Sequence, residues 1–144
     1  MRQDQSILIV DDDVDFCCLL QIAFQEAQVG RLIEVLHDGW AAIERLRESG
    51  DRVGNFPPAL VLLDLRMPVL NGLEVLRWMR AQPRFDEVPV VVLTGLEAGR
   101  EHAQAVSLGA TSLRVKPFSY RDLVKEAAAL RETYLEDHAL KHAA

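Results

Sequence analysis

The stretch Ala59-Leu60-Val61-Leu62-Leu63-Asp64-Leu65-Arg66-Met67-Pro68-Val69-Leu70-Asn71-Gly72 decides how this chain folds. A short unbroken apolar run bounded by polar and turn-forming residues reads as a strand buried on both faces, the pattern of a parallel sheet covered by helices. Asp64 closes that run, so a carboxylate stands at the rim of the sheet, where open α/β sheets bind ligands. Ser6-Ile7-Leu8-Ile9-Val10 ends the same way, in Asp11-Asp12-Asp13. Two neighbouring strands that both end in acid make one anionic cluster, and such a charge is costly unless something uses it.

Working outward, apolar runs and helical periods alternate along the chain. Phe16, Leu19, Leu20, Ala23, Phe24 and Ala27 recur at three and four residues, one face of an amphipathic helix that Gly30 is expected to stop. Leu32 to Leu36 reads as the second strand, and Asp38 caps a helix facing inward through Ala42, Ile43 and Leu46. A long loop, Asp51 to Pro58, leads into the Asp64 strand. Asn71 caps the third helix, with Leu73, Val75, Leu76 and Met79 facing inward and Pro83 at its exit. Val88 to Leu93 is the fourth strand, with Pro89 suited to its beginning.

The helix from about Glu97 to Leu108 contains Gly99 and few large apolar residues, so looser packing is expected of it. Thr111 to Val115 is the fifth strand. Ser119 with Asp122 resembles a capping box opening a last helix, whose seam is Leu123, Ala127, Leu130 and Tyr134 and which is expected to reach about Leu140. Five strands each followed by a helix imply an α/β fold: a single-domain, doubly wound, five-stranded parallel sheet in the order 2-1-3-4-5, flanked by five helices, as in flavodoxin-like folds. Residues 1–144 read as one domain with its core in 6–130.

Bulk properties narrow the function. A chain of 144 residues, 49% hydrophobic, supports one core, and a net charge of -6 argues against direct DNA binding, which relies on Lys and Arg to neutralise phosphates. Cys17 and Cys18 are the only cysteines and read as core residues, since a disulfide framework or four-ligand zinc site needs more. The N-terminus lacks the apolar stretch of a signal peptide and no run is long enough to span a membrane, which points to a cytoplasmic protein without membrane contact.

In the 2-1-3-4-5 order, Asp11, Asp12 and Asp64 converge, with Thr94 and Lys116 ending strands four and five on the same rim. Clustered carboxylates raise one another's pKa unless a cation neutralises them. An all-oxygen site open to water suits Mg²⁺, and without Cys or His among these residues zinc is unsuited. A carboxylate can attack a phosphoryl group when metal, lysine and hydroxyl offset the charge on its equatorial oxygens.

Ile7 to Asp12, Asp64 to Gly72, Val90 to Thr94 and Lys116-Pro117-Phe118 together resemble the receiver domain of two-component response regulators, with every spacing in order over roughly residues 6 to 130. The resemblance implies that Asp64 is the phosphoacceptor, that Asp11, Asp12, Asp64 and the backbone carbonyl of Arg66 hold Mg²⁺, and that Thr94 and Lys116 bind the phosphoryl oxygens. It implies a sensor histidine kinase as donor, an unidentified downstream protein, and a cis bond before Pro117. The loop at Asp51 to Pro58 and the long last helix resemble, less specifically, single-domain regulators that partner phytochrome-type kinases. No output domain is expected after the fifth helix, and Leu135 and Leu140 offer a seam for a homodimer.

Two features depart from the family pattern or tune it. Leu113 stands where receivers commonly carry Tyr or Phe, so outward coupling is expected to be weaker or to use another residue. Leu96 flanks the site beyond the small Gly95 and is expected to slow hydrolysis of the acyl phosphate. His37, His102, His138 and His142 read as surface residues away from the rim. A receiver-like scaffold working without phosphorylation is the main alternative. Haloacid-dehalogenase-like phosphatases would place a second acid where Arg66 stands, and a Rossmann domain would need a glycine fingerprint that is missing after the first strand.

Overall fold

Residue alternation along each strand builds the core. In β1 (Ile7–Val10) and β3 (Leu60–Leu63) every side chain is buried, odd and even positions facing opposite sides of the sheet. The computed structural model describes residues 5–49, 56–95 and 99–136. Its remaining elements are α1 (Val14–Glu26), β2 (Ile33–Leu36), α2 (Gly39–Arg47), α3 (Gly72–Arg80), β4 (Val90–Thr94), α4 (Gly99–Ser107), β5 (Ser112–Val115) and α5 (Tyr120–Leu130). A 3₁₀ turn, Pro83–Phe85, precedes β4, and a π-helical turn, Arg131–Leu135, follows α5. The strands form one parallel sheet in the order β2-β1-β3-β4-β5.

On one face Ile7, Ile9, Leu60, Leu62, Val91 and Leu93 pack against α1 and α5 through Leu20, Phe24, Leu123 and Leu130. On the other, Leu8, Val10, Val61, Leu63, Val90 and Val92 meet Leu46, Leu76, Met79 and Phe85. Each fully buried side chain of this size contributes about 1.5–3 kcal/mol. α4 buries only Ala105, the loose attachment expected from its composition. Among the described residues no helix is long and apolar enough to cross a membrane.

Several local expectations are corrected. α1 ends at Glu26, and Gln28, not Gly30, takes the left-handed conformation that turns the chain, with φ of 61°. Its buried stripe runs through Cys17, Leu20, Phe24 and Ala27, because the helix is rotated to bury Cys17 and leaves Leu19 exposed. Ser119 caps α5 by accepting from the Asp122 N–H. That helix does not continue straight to Leu140: the π-helical turn ends at Glu136, whose backbone is extended, and 137–140 lie outside the described residues. Leu135 is 7% exposed and packs in the α1–α5 core, so it is withdrawn from any seam between two copies. Of the loop expected at Asp51 to Pro58, residues 51–55 also lie outside the described part.

Candidate functional site

Strand pairing forces the acids together. Val10 lies opposite Leu63 in register, so the next residues, Asp11 and Asp64, leave adjacent strands side by side. The Asp64 N–H donates to the Val10 carbonyl at 2.9 Å, and the Asp11 N–H to the Leu36 carbonyl at 3.0 Å. Asp11 and Asp64 are 3% and 6% exposed, whereas Asp12 faces solvent. Carboxylate oxygens of Asp11, Asp12 and Asp64 all lie within 4.8 Å of one another.

β4 and β5 complete the rim. The Lys116 N–H donates to the Thr94 carbonyl at 2.8 Å, which sets the two residues side by side. Lys116 Nζ then reaches Asp11 Oδ2 at 2.8 Å and Asp64 Oδ2 at 3.8 Å, and lies 4.6 Å from the centre of the Phe16 ring. Thr94 is 1% exposed, and its hydroxyl has no hydrogen-bond partner among the described residues. A Cβ added at Gly95 would meet nothing within 4 Å among the described residues, so none of them blocks the approach past Thr94.

Electrostatics follow from this geometry. Burial pushes the Asp64 carboxyl up to about 6, the Asp11 charge adds to the rise, and Lys116 with the Arg66 N–H opposes it. Burial works against the Lys116 charge, but its hydrogen bond to Asp11 and the charges of Asp11 and Asp64 hold the ammonium above its ordinary value. One ammonium cannot balance three carboxylates, so the rim remains anionic. Hard divalent cations prefer such oxygen donors, and the mutual spacing of these oxygens fits one ion shared among them.

The loop after Asp64 is built for close approach. The Arg66 N–H donates to Asp64 Oδ1 at 3.3 Å, and the Leu70 N–H to the Pro68 carbonyl at 2.9 Å, closing a three-residue turn around Val69. Val69 has φ of 69°, a strained conformation for a β-branched residue. A Cβ at Gly72 would stand 2.1 Å from the Asp64 carbonyl oxygen, so only glycine lets α3 start against the back of Asp64.

Asp11, Asp12, Asp64 and Lys116 thus meet at the rim, with Thr94 beside Lys116 on the neighbouring strand. Two related expectations change. The bond before Pro117 is trans, the ordinary state of an X–Pro bond, with no cis peptide among the described residues, and Lys116 reaches both carboxylates from that form. His37 is not remote: it follows β2, and its Nδ1 lies 3.0 Å from the Asp11 carbonyl oxygen, to which it donates. Its position after the strand beside β1 was the signal. Sequence reading also missed the Arg66–Glu101 ion pair, 3.4 Å, which ties the β3–α3 loop to α4. Leu113 is half-buried against the α2–α3 face, and Leu96 lies outside the described residues.

A doubly wound sheet whose switch point gathers acids, a hydroxyl and a lysine defines the class of signalling domains that carry a phosphoryl group. The chain belongs to the response regulator receiver domain family, whose model matches residues 7–128. It is a receiver domain of two-component phosphorelay signalling. It is similar to a probable methanogenesis regulatory protein, FilR2, of Methanothrix harundinacea, 37% identical over 131 residues that cover 90% of this chain and 83% of the relative. Of several further curated response regulators the chain spans about half the length.

Among solved structures it resembles the phosphorylated cyanobacterial phytochrome response regulator RcpA, with TM-score 0.82, 26% identity and coverage of 92% and 95% of the two chains. It also resembles the Mn²⁺-bound form of response regulator Rcp1, with TM-score 0.79, 29% identity and the same coverage.

Proposed function

We propose that Asp64 is the phosphoacceptor of this receiver. The observation that carries the reading is the placing of Lys116 Nζ against both Asp11 and Asp64, within a set of three carboxylates whose oxygens lie within 4.8 Å. An Asp64 carboxylate oxygen forms the new bond to phosphorus as the phosphorus–nitrogen bond of a kinase phosphohistidine breaks. The imidazole leaves with the electron pair and takes up a proton from water. Lys116 and the Thr94 hydroxyl meet the phosphoryl oxygens, and the space at Gly95, which no described residue fills, admits the donor.

Asp11, Asp12, Asp64 and the backbone carbonyl of Arg66 would hold Mg²⁺, which would supply charge neutralisation on the transferring group. The all-oxygen donor set supports this choice, as does the Mn²⁺ described for Rcp1. The likeness to a phytochrome response regulator supports a kinase of phytochrome type as the donor, acting in the cytoplasm. The acyl phosphate adds charge of roughly -1.5 to -2, pulling Thr94 and Lys116 inward and shifting α4, whose one buried residue is Ala105, to alter a surface read by a downstream protein.

Incubation with acetyl phosphate and Mg²⁺, followed by intact mass, tests the reading. Wild type gains one phosphoryl group and Asp64→Asn gains none. An equal gain in both proteins removes Asp64 from the role.

A further inference from the structure

Between α3 and α4, on the helical layer that covers the even-numbered side of β1, lies a groove of about 380 Å³. Leu73 and Leu108 give it an apolar floor, Ala103 is small enough to leave it open, and Arg77 and Arg100 line it from opposite helices. Neither guanidinium has a hydrogen bond or ion pair among the described residues, although the chain carries a net charge of -6. Arg100 also sits in the first turn of α4, where the helix dipole disfavours a cation. Two cations that no described residue pairs, at one apolar cleft of an acidic protein, call for an anionic occupant with an apolar body.

We propose that this groove docks an acidic peptide segment of a partner protein, an apolar side chain filling the space over Leu73, Ala103 and Leu108 while flanking carboxylates pair with Arg77 and Arg100. The exposure of the groove's walls selects a peptide over a free small molecule. Arg77, Arg100 and Ala103 all face solvent, so the cleft covers one side of a ligand, whereas small-molecule sites enclose most of theirs. Helix-in-groove recognition needs only such a one-sided cleft.

Selection from a random peptide display library against the whole chain tests this, with binding of the recovered peptides then measured in solution. The expected peptides combine Asp or Glu with an apolar anchor, and Arg77→Glu and Arg100→Glu each weaken them by about tenfold or more, the loss of one charge-assisted contact. Arg121→Glu on α5 makes the same change in net charge away from the groove and leaves binding within about twofold. Ala103→Trp fills the cleft without removing charge and blocks binding, so the test survives if a charge reversal fails to fold.

Failure to recover peptides, recovery of peptides without acidic bias, or equal loss in Arg121→Glu overturns the proposal. So does a concentration-dependent dimer that Arg77→Glu and Ala103→Trp dissolve, which puts a second copy in the groove. Repeating the measurement on Asp64→Asn keeps this result separate from the phosphoacceptor assignment, because that protein binds the same peptides.

Discussion

Placing a carboxylate at the tip of a strand whose other residues are all buried raises its affinity for a proton, and at Asp64 the Asp11 charge brings the rise to about 6. In the unfolded chain the group titrates near its ordinary value of 3.8. Between those values the folded state binds more protons, so this residue's contribution to stability falls as pH rises from about 4 to about 6 and stays low above. A shift of this size corresponds to at most about 3 kcal/mol. Asp64→Asn is therefore expected to be more stable than wild type at pH 7, by about 1–3 kcal/mol without divalent cation, with the gap closing toward pH 4. Urea unfolding across that pH range measures it, and equal stabilities at pH 7 would refute the cost assigned to Asp64. Lys116 has the same sense in a higher pH range: its raised value stabilises fully below its unfolded pKa and is lost only as pH climbs through the higher folded one.

The start of α3 shows how one element fixes that residue. Asn71 accepts from the Glu74 N–H at 3.0 Å and the Glu74 side chain accepts from the Asn71 N–H at 3.1 Å, a reciprocal cap that holds the helix against the Asp64 backbone. Asn71→Ala is expected to cost about 1 kcal/mol. Gly72→Ala should cost more, because its Cβ would stand 2.1 Å from the Asp64 carbonyl oxygen and the whole helix start must shift. Urea midpoints rank the two, and the reverse order would deny the close packing at Gly72. Asn71 was legible in sequence because capping is local, as were β1, β3 and β4, whose apolar runs need no partner to be seen. The five rim side chains were legible once strand order was fixed, since pairing carries strand ends to one edge. What escaped were the facts set by rotation and reach. Leu19 and Cys17 compete for one helical face and only packing against α5 decides between them, and the Arg66–Glu101 pair depends on how far a long side chain extends across the loop.

For the molecule as a whole, the rim is a store of unfavourable charge that a ligand of the native state can discharge. The buried pair Asp11 and Asp64 has Lys116 as its nearest cation, at 2.8 Å and 3.8 Å, and Asp12 adds a third carboxylate from the solvent side. The unfolded chain separates these acids and has no such site, so a cation that bridges them binds the folded state selectively. Stabilisation then grows with concentration and reaches about 2.7 kcal/mol at a hundredfold excess over the Kd. For a domain of this size that corresponds to a rise in Tm of roughly 5–10 °C. Mg²⁺ is expected to give this rise in wild type and to lose most of it in Asp64→Asn, even though that variant starts from the higher Tm in chelator. Asp11→Asn should behave likewise, whereas Asp13→Ala, which removes the side chain that caps α1 by accepting from the Phe16 N–H, should lower Tm in chelator and keep the full Mg²⁺ response. A Tm rise equal in wild type and Asp64→Asn would place the ion elsewhere on the acidic surface and separate the cation from the phosphoryl chemistry assigned to the rim.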